Sequence, residues 1–176
     1  MTTSTVAHLL TQELKHTDIE VKGWVRTFRA NRFIALNDGS CLQNIQCVID
    51  FESMDEGLLK RISTGAAVHI KGGLVESQGK GQSVEVQVSS IEILGDADPE
   101  DVSKTILQPK RHSLEFLREQ AHLRTRTNTF SAVMRLRSSL SFAVHSYFNK
   151  NGFYYMHAPI VTGSDAEGAG EMFRVT

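Results

Sequence analysis

The sequence predicts a β + α/β protein: a small closed barrel of five strands, a hinge, and then a long helix leading into a strand and a loop. Three observations carry this. Short apolar runs with two-residue alternation recur between Ile19 and Ile93, separated by turn residues, which is the pattern of barrels and sandwiches. From Gly95 to Asp101 the chain turns acidic around Pro99, as at a boundary between units. Beyond Asn128 the apolar spacing changes from two to three or four, the mark of an amphipathic helix.

Residues 1–18 read as an N-terminal extension whose short apolar run, Val6 to Leu10, supports a helical turn or two. Ile19 to Phe28 sets Val21, Gly23 and Val25 on one face, and Phe33 to Asn37 follows before the Asp38-Gly39 turn. Asn44 to Asp50 points Ile45, Cys47 and Ile49 one way, and Leu58 to Ser63 is a short helical turn. Ala67 to Glu76 and Ser83 to Leu94 complete the strands, the latter with Val84, Val86, Val88, Ile91 and Ile93. Five strands with a helix between the third and fourth fit a five-stranded OB-fold barrel over residues 19–94. Closure also removes the sheet edges that such strands would otherwise expose.

Residues 95–112 read as a linker, and Ser113 is a good N-cap for Leu114 to Glu119. In the helix from Asn128 to Lys150, Val133, Leu136, Leu140, Val144 and Tyr147 share a face that is expected to be buried. Asn151-Gly152 ends it, and Phe153 to Thr162 reads as a strand carried across Pro159. Small residues then alternate with carboxylates from Ser164 to Phe173. With Gly168 and Gly170 freeing the backbone, this suits a loop that closes on a small polar substrate, though a plain solvated turn has the same composition.

Composition narrows the function. A 40% hydrophobic share in 176 residues is that of a folded globular chain. Two cysteines, Cys41 and Cys47, provide neither a disulfide framework nor a metal set, so no metal site is expected. No basic-plus-apolar leader and no run of membrane-spanning length is read, which implies a cytoplasmic protein with no membrane partner. The net charge is −1, so attraction to a polyanion must come from a local patch. Lys22, Arg26, Arg29 and Arg32 form one such patch; Lys110, Arg111, Arg118, Arg124 and Arg126 form another. OB-fold surfaces hold single-stranded nucleic acid by a basic groove with aromatic platforms, a combination that Arg26, Arg29, Phe33 and Gln46 supply. Phe33 could equally be core, and the arginines an ordinary solvated face.

Helix, proline-bearing strand and the loop Asp165-Ala166-Glu167-Gly168-Ala169-Gly170-Glu171-Met172-Phe173 resemble motif 1 and the substrate-gating loop of class II aminoacyl-tRNA synthetases, most closely the asparaginyl family. Ala121-His122-Leu123-Arg124-Thr125-Arg126-Thr127 is similar to a segment of the same family. Gly23-Trp24-Val25-Arg26, Phe33, Asp38-Gly39 and Asn44-Ile45-Gln46 resemble the anticodon-binding barrel of the aspartate, asparagine and lysine subclass. The resemblance implies that residues 113–176 open the antiparallel-sheet catalytic domain of such an enzyme, its first helix-strand-loop portion.

By the same resemblance, an arginine (Arg26 or Arg29), Phe33 and Gln46 would read and stack the central anticodon uridine, and Glu85 would contact the first anticodon base. Ser164, Glu167 and Glu171 would line the amino-acid pocket, with Glu167 facing the substrate ammonium, and Pro159 would lie at a homodimer interface. The family's partners are tRNA(Asn), L-asparagine and ATP with Mg²⁺. Its phosphate-holding motifs 2 and 3 are not read in these residues, so no catalytic residue and no activity of this stretch alone is expected. Two other readings stay open: a stand-alone OB-fold RNA-binding protein with a vestigial synthetase tail, and a sister ligase for aspartate or lysine.

Overall fold

A computed structural model describes residues 3–11, 18–50, 52, 54–79, 81–98, 100–102, 107–108 and 110–159. They divide into two units, Met1–Arg135 and Leu136–Thr176.

The first unit is built on β1 (Asp18–Arg29), β2 (Phe33–Asn37), β3 (Ile45–Val48), β4 (Ala67–Glu76) and β5 (Val84–Gly95), closed in the order β1-β2-β3-β5-β4. The alternation read from the sequence holds, because each second residue turns into the barrel. Ile19, Val21 and Val25 of β1, Ile34 and Leu36 of β2, and Ile45 and Cys47 of β3 meet Val68, Ile70, Leu74, Val84 and Val86 in one core. Burial pushes the Cys47 thiol well up, so it packs as a small apolar group.

Register shifts explain where the alternation slips. Lys71 pairs with Ser90 and Gly72 with Val88, which leaves Ser89 as an extra residue and carries the apolar face from Val88 on to Ile91. The Ser89 hydroxyl donates to the Lys71 carbonyl at 3.0 Å and holds the bulge. Opposite it, a Cβ on Gly72 would stand 2.1 Å from the Gln87 carbonyl oxygen, a distance no side chain tolerates. A second bulge lies in β1, where Val25 pairs with Leu36 and Thr27 with Ala35, so Arg26 has no β2 partner.

Two helices lie against this barrel. In α1 (Val6–Thr11), Val6 and Leu9 are wholly buried in the core, so part of the N-terminal extension belongs to the barrel. Asp38 caps its start: the Val6 amide donates to Asp38 Oδ2 at 2.9 Å, and the Ala7 amide to Ser40 Oγ at 2.9 Å. Burial would raise the Asp38 carboxyl, but hydrogen bonds from the Ser40 hydroxyl and amide and from Val6 outweigh it and hold it below the usual range. The second helix, α2 (Glu56–Arg61), starts two residues before the expected Leu58 because Asp55 accepts the Leu58 amide at 2.8 Å. Arg61 then grips Asp96 through two bonds, of 2.8 and 2.6 Å, and ties α2 to the acidic stretch.

Further along, Ser113 caps α3 (Leu114–Glu119) as expected, accepting the Phe116 amide at 3.2 Å. A 3-10 turn, Arg124–Arg126, precedes α4 (Asn128–Lys150).

Two expectations fail in and beyond α4. The face expected to be buried is open, with Leu136 61% and Leu140 56% exposed, and Val133, Val144 and Tyr147 exposed as well. The apolar spacing defines a face that needs a cover, and the described residues do not supply one. Residues 153–159 carry no strand pairing, so the predicted strand is absent from its described part; residues 160–162 lie outside the described residues. The helix end follows the reading. Gly152 takes φ +85°, its amide donates to Asn149 and that of Phe153 to Phe148, each at 3.1 Å, and the Phe148 and Phe153 rings meet edge to face at 5.5 Å. This is a Schellman stop with its apolar clasp.

Candidate nucleic-acid interface

The hairpin joining β1 and β2 sets the first pair of the interface. Ala30 and Asn31 take φ of +52° and +51°, and the Arg32 amide donates to the Arg29 carbonyl at 3.1 Å. A turn with both central residues left-handed matches the twist of the strands, and the register resumes with Arg29 opposite Phe33, one residue past Arg32. Asn31 suits that conformation, whereas Ala30 carries strain of about 1–2 kcal/mol, a cost more often tolerated near functional surfaces.

From that pair the register runs across the sheet. Phe33 pairs with Val48 and Val48 with Gln87; in the next row Thr27 pairs with Ala35, Ala35 with Gln46 and Gln46 with Glu85. Because Phe28, Ile34, Cys47 and Val86 turn inward, both rows lie on the outside of the barrel. Phe33 is half-buried and not core, with the Arg32 guanidinium 5.7 Å from its ring centre. Arg29 is exposed.

Glu85 is the one acidic side chain counted among the buried ones of the described residues, at 8% exposure. Three neutral groups hold it: Gln46 Nε2 and Ser77 Oγ donate to Oε2 at 3.1 and 3.0 Å, and Gln87 Nε2 donates to Oε1 at 3.1 Å. Without such donors a buried carboxylate would be prohibitive. The bond to Glu85 also fixes the Gln46 amide, so its oxygen is the end left to accept from a base edge.

Arg26 behaves differently from Arg29. Its Nη1 donates to the Arg126 carbonyl at 3.0 Å, and burial, together with the nearby Arg126 charge, lowers its affinity for its proton. Of the residues expected to bind RNA, then, Arg29 and Phe33 stand side by side, Gln46 and Glu85 are bonded, and Arg26 is held by the turn before α4. Sequence reading missed Ser77 and Gln87. Gln87 was within reach, two residues from Glu85 on the same strand face, whereas Ser77 meets Glu85 only through the β4–β5 pairing.

Ser164, Glu167 and Glu171 lie outside the described residues, and Pro159 is exposed. Among the described residues no three His, Cys, Asp or Glu side chains converge as ligands for a metal ion. No helix among them is long and apolar enough to cross a membrane.

Residues 19–94 match the OB-fold nucleic acid binding domain family, and residues 113–176 match the class II tRNA synthetases (D, K and N). The chain is 56% identical over 176 residues to the asparagine–tRNA ligase of Cytophaga hutchinsonii, covering 97% of this chain and 37% of the relative. To the asparagine–tRNA ligase of Treponema denticola it is 52% identical over 178 residues, again 97% of this chain and 37% of the relative. Its fold is similar to that of asparaginyl-tRNA synthetase from Pyrococcus horikoshii complexed with asparaginyl-adenylate, with a TM-score of 0.71 and 21% identity, over 91% of this chain and 37% of the other. The Entamoeba histolytica asparaginyl-tRNA synthetase, in complex with asparaginyl-adenylate, gives 0.69 and 23% over 85% of this chain and 37% of the other. The chain therefore spans a little over a third of the length of the relatives it matches, and across that span it is similar to asparagine–tRNA ligases.

Proposed function

We propose that this chain is the anticodon-binding part, and the opening of the catalytic part, of a ligase that joins L-asparagine to tRNA(Asn) through an asparaginyl-adenylate. The observation that carries this is the 56% identity to an asparagine–tRNA ligase, which runs over 97% of the chain and so through both the barrel and the segment after it. The outer rows of the barrel support the same reading. Phe33 offers a ring for a base to stack on, and Arg29 beside it offers charge to a phosphate. Gln46, fixed by Glu85, presents a hydrogen-bond acceptor to a base edge.

In the complete ligase, ATP and Mg²⁺ would supply the activating chemistry. The contribution of this chain is recognition: Arg29, Phe33, Gln46 and Glu85 toward the anticodon, and Ser164, Glu167 and Glu171 toward the asparagine. Pro159 would sit where two subunits of a homodimer meet.

The test is a titration of the chain with the anticodon stem-loop of tRNA(Asn) and with a stem-loop altered at the central base. Phe33→Ala is expected to weaken the first complex by about 1–3 kcal/mol, and Gln46→Ala to erase part of the preference between the two. Equal affinity for both by the native chain would favour a general RNA-binding barrel, and no loss on Phe33→Ala would remove this face from the interface. A polypeptide of these 176 residues alone is expected to give no asparagine-dependent exchange of pyrophosphate into ATP.

A further inference from the structure

Arg26 and Arg29 are three residues apart on one strand, yet they do opposite things. Arg29 faces Phe33 across the hairpin, while Arg26 occupies the bulge position that has no partner on β2. A bulge re-aims the side chain it carries, and here the guanidinium ends on the Arg126 carbonyl, 3.0 Å away. Arg126 belongs to the 3-10 turn that precedes Thr127, and Thr127 is the cap of α4: its hydroxyl accepts the Phe130 amide at 3.3 Å and donates to the Arg124 carbonyl at 2.6 Å. Arg26 thus grips the turn on which α4 starts.

A second arginine reaches back from α4 itself. Arg135 donates from Nη1 to the Ser40 carbonyl at 3.3 Å and from Nη2 to the Gly39 carbonyl. Gly39 and Ser40 are the same turn whose Asp38 and Ser40 side chains cap α1, so this strap ends on an anchored loop. Both arginines end on carbonyls and not on carboxylates, which leaves each with its full charge. For Arg26, partly desolvated and close to Arg126, that placement costs free energy that a freely mobile side chain would avoid.

We propose that Arg26 is a positioning residue and not an anticodon contact: with Arg135 it fastens residues 124–135 to the barrel. The proposal rests on the reading that the outer rows bind RNA. An enzyme that grips an RNA at one end and reacts at the other needs a stiff join behind the grip, and two arginine straps on one short stretch of chain provide it.

The experiment uses the 176-residue chain with Arg26→Ala, Arg26→Lys and Arg29→Ala, and reads amide exchange across residues 123–135 and affinity for the tRNA(Asn) anticodon stem-loop. Arg26→Ala is expected to quicken exchange there by roughly 2- to 10-fold, the loss of one hydrogen bond, while affinity stays within about twofold of native. Arg26→Lys keeps an N–H donor for the single carbonyl and is expected to restore the protection. Arg29→Ala is expected to do the reverse, weakening the complex with exchange unchanged. Unchanged exchange in Arg26→Ala, or a loss of affinity equal to that of Arg29→Ala, would overturn the proposal. If the native chain binds no stem-loop, the RNA reading fails, and the exchange data alone still decide whether Arg26 is a strap.

Discussion

The barrel and α4 are both written in the sequence as apolar residues at regular spacing, and they end in opposite states. In the barrel, Ile34, Leu36, Ile45, Val68, Ile70 and Leu74 are wholly buried; on α4, Leu136, Leu140 and Val144 are more than half exposed. The difference is topological. A sheet that closes on itself supplies the cover for its own apolar face, so alternation along each strand is enough to make a core. A helix stripe has no such closure, and its spacing names a face without naming what lies on it.

The largest test of this contrast pairs one residue from each region. Leu74→Ala removes side-chain atoms from a filled core and is expected to cost about 2–5 kcal/mol. Leu140→Ala is expected to change stability by no more than about 0.5 kcal/mol, as at other exposed sites. Urea midpoints of the two variants against the native chain decide it. A cost on Leu140→Ala close to that of Leu74→Ala would mean that the α4 face is packed in solution and that the contrast is wrong.

Backbone positions come next. Gly72→Ala is expected to cost about 1–3 kcal/mol or more, since the new methyl must push the Gln87 carbonyl, 2.1 Å away, out of the β4–β5 ladder. Gly152→Ala places a side chain at φ +85° and should cost roughly 1–2 kcal/mol, all of it at the end of α4. Helicity by circular dichroism separates the two, for only the first should lower the midpoint of barrel unfolding. A Gly72→Ala barrel with native stability would show that the bulge at Ser89 can relax, and would weaken its role in fixing register.

These cases also show what the sequence could reveal. The strands β2 and β4 were legible to the residue from their alternation, and the Asp38-Gly39 turn marks the end of β2. The bulge at Ser89 was visible only as a three-residue step between Val88 and Ile91, and its cause, the close approach at Gly72, is a property of paired strands. In the interface, Phe33 and Gln46 could be picked out as residue types suited to bases, and Glu85 came from the family resemblance. The division of labour between Arg26 and Arg29 could not be read, since it depends on which residue lacks a partner on β2. The strand expected at Phe153 failed for the same reason: extended chain becomes a strand only when another strand pairs with it.

The smallest effect concerns acid. Asp38 is held below the usual carboxylate range by the Ser40 and Val6 hydrogen bonds that cap α1, and Glu20 is held low by its hydrogen bond from Lys71. A depressed carboxyl stabilises the fold at pH values above its unfolded pKa, and the contribution fades as the pH drops through the folded pKa. For Asp38 the loss therefore begins around the ordinary value of 3.8 and is complete only further down. Asp38→Asn keeps one acceptor but turns the other oxygen into an amide donor facing an N–H, so its cost at neutral pH should be about 1 kcal/mol. Urea midpoints taken from neutral pH down to about pH 2 should show the gap between native and variant closing as Asp38 takes up its proton. The start of α4 is capped by the neutral Thr127 hydroxyl, a bond that does not depend on a carboxylate. A gap that stays constant with pH would mean that the hold of Asp38 on the Val6 amide does not depend on its charge.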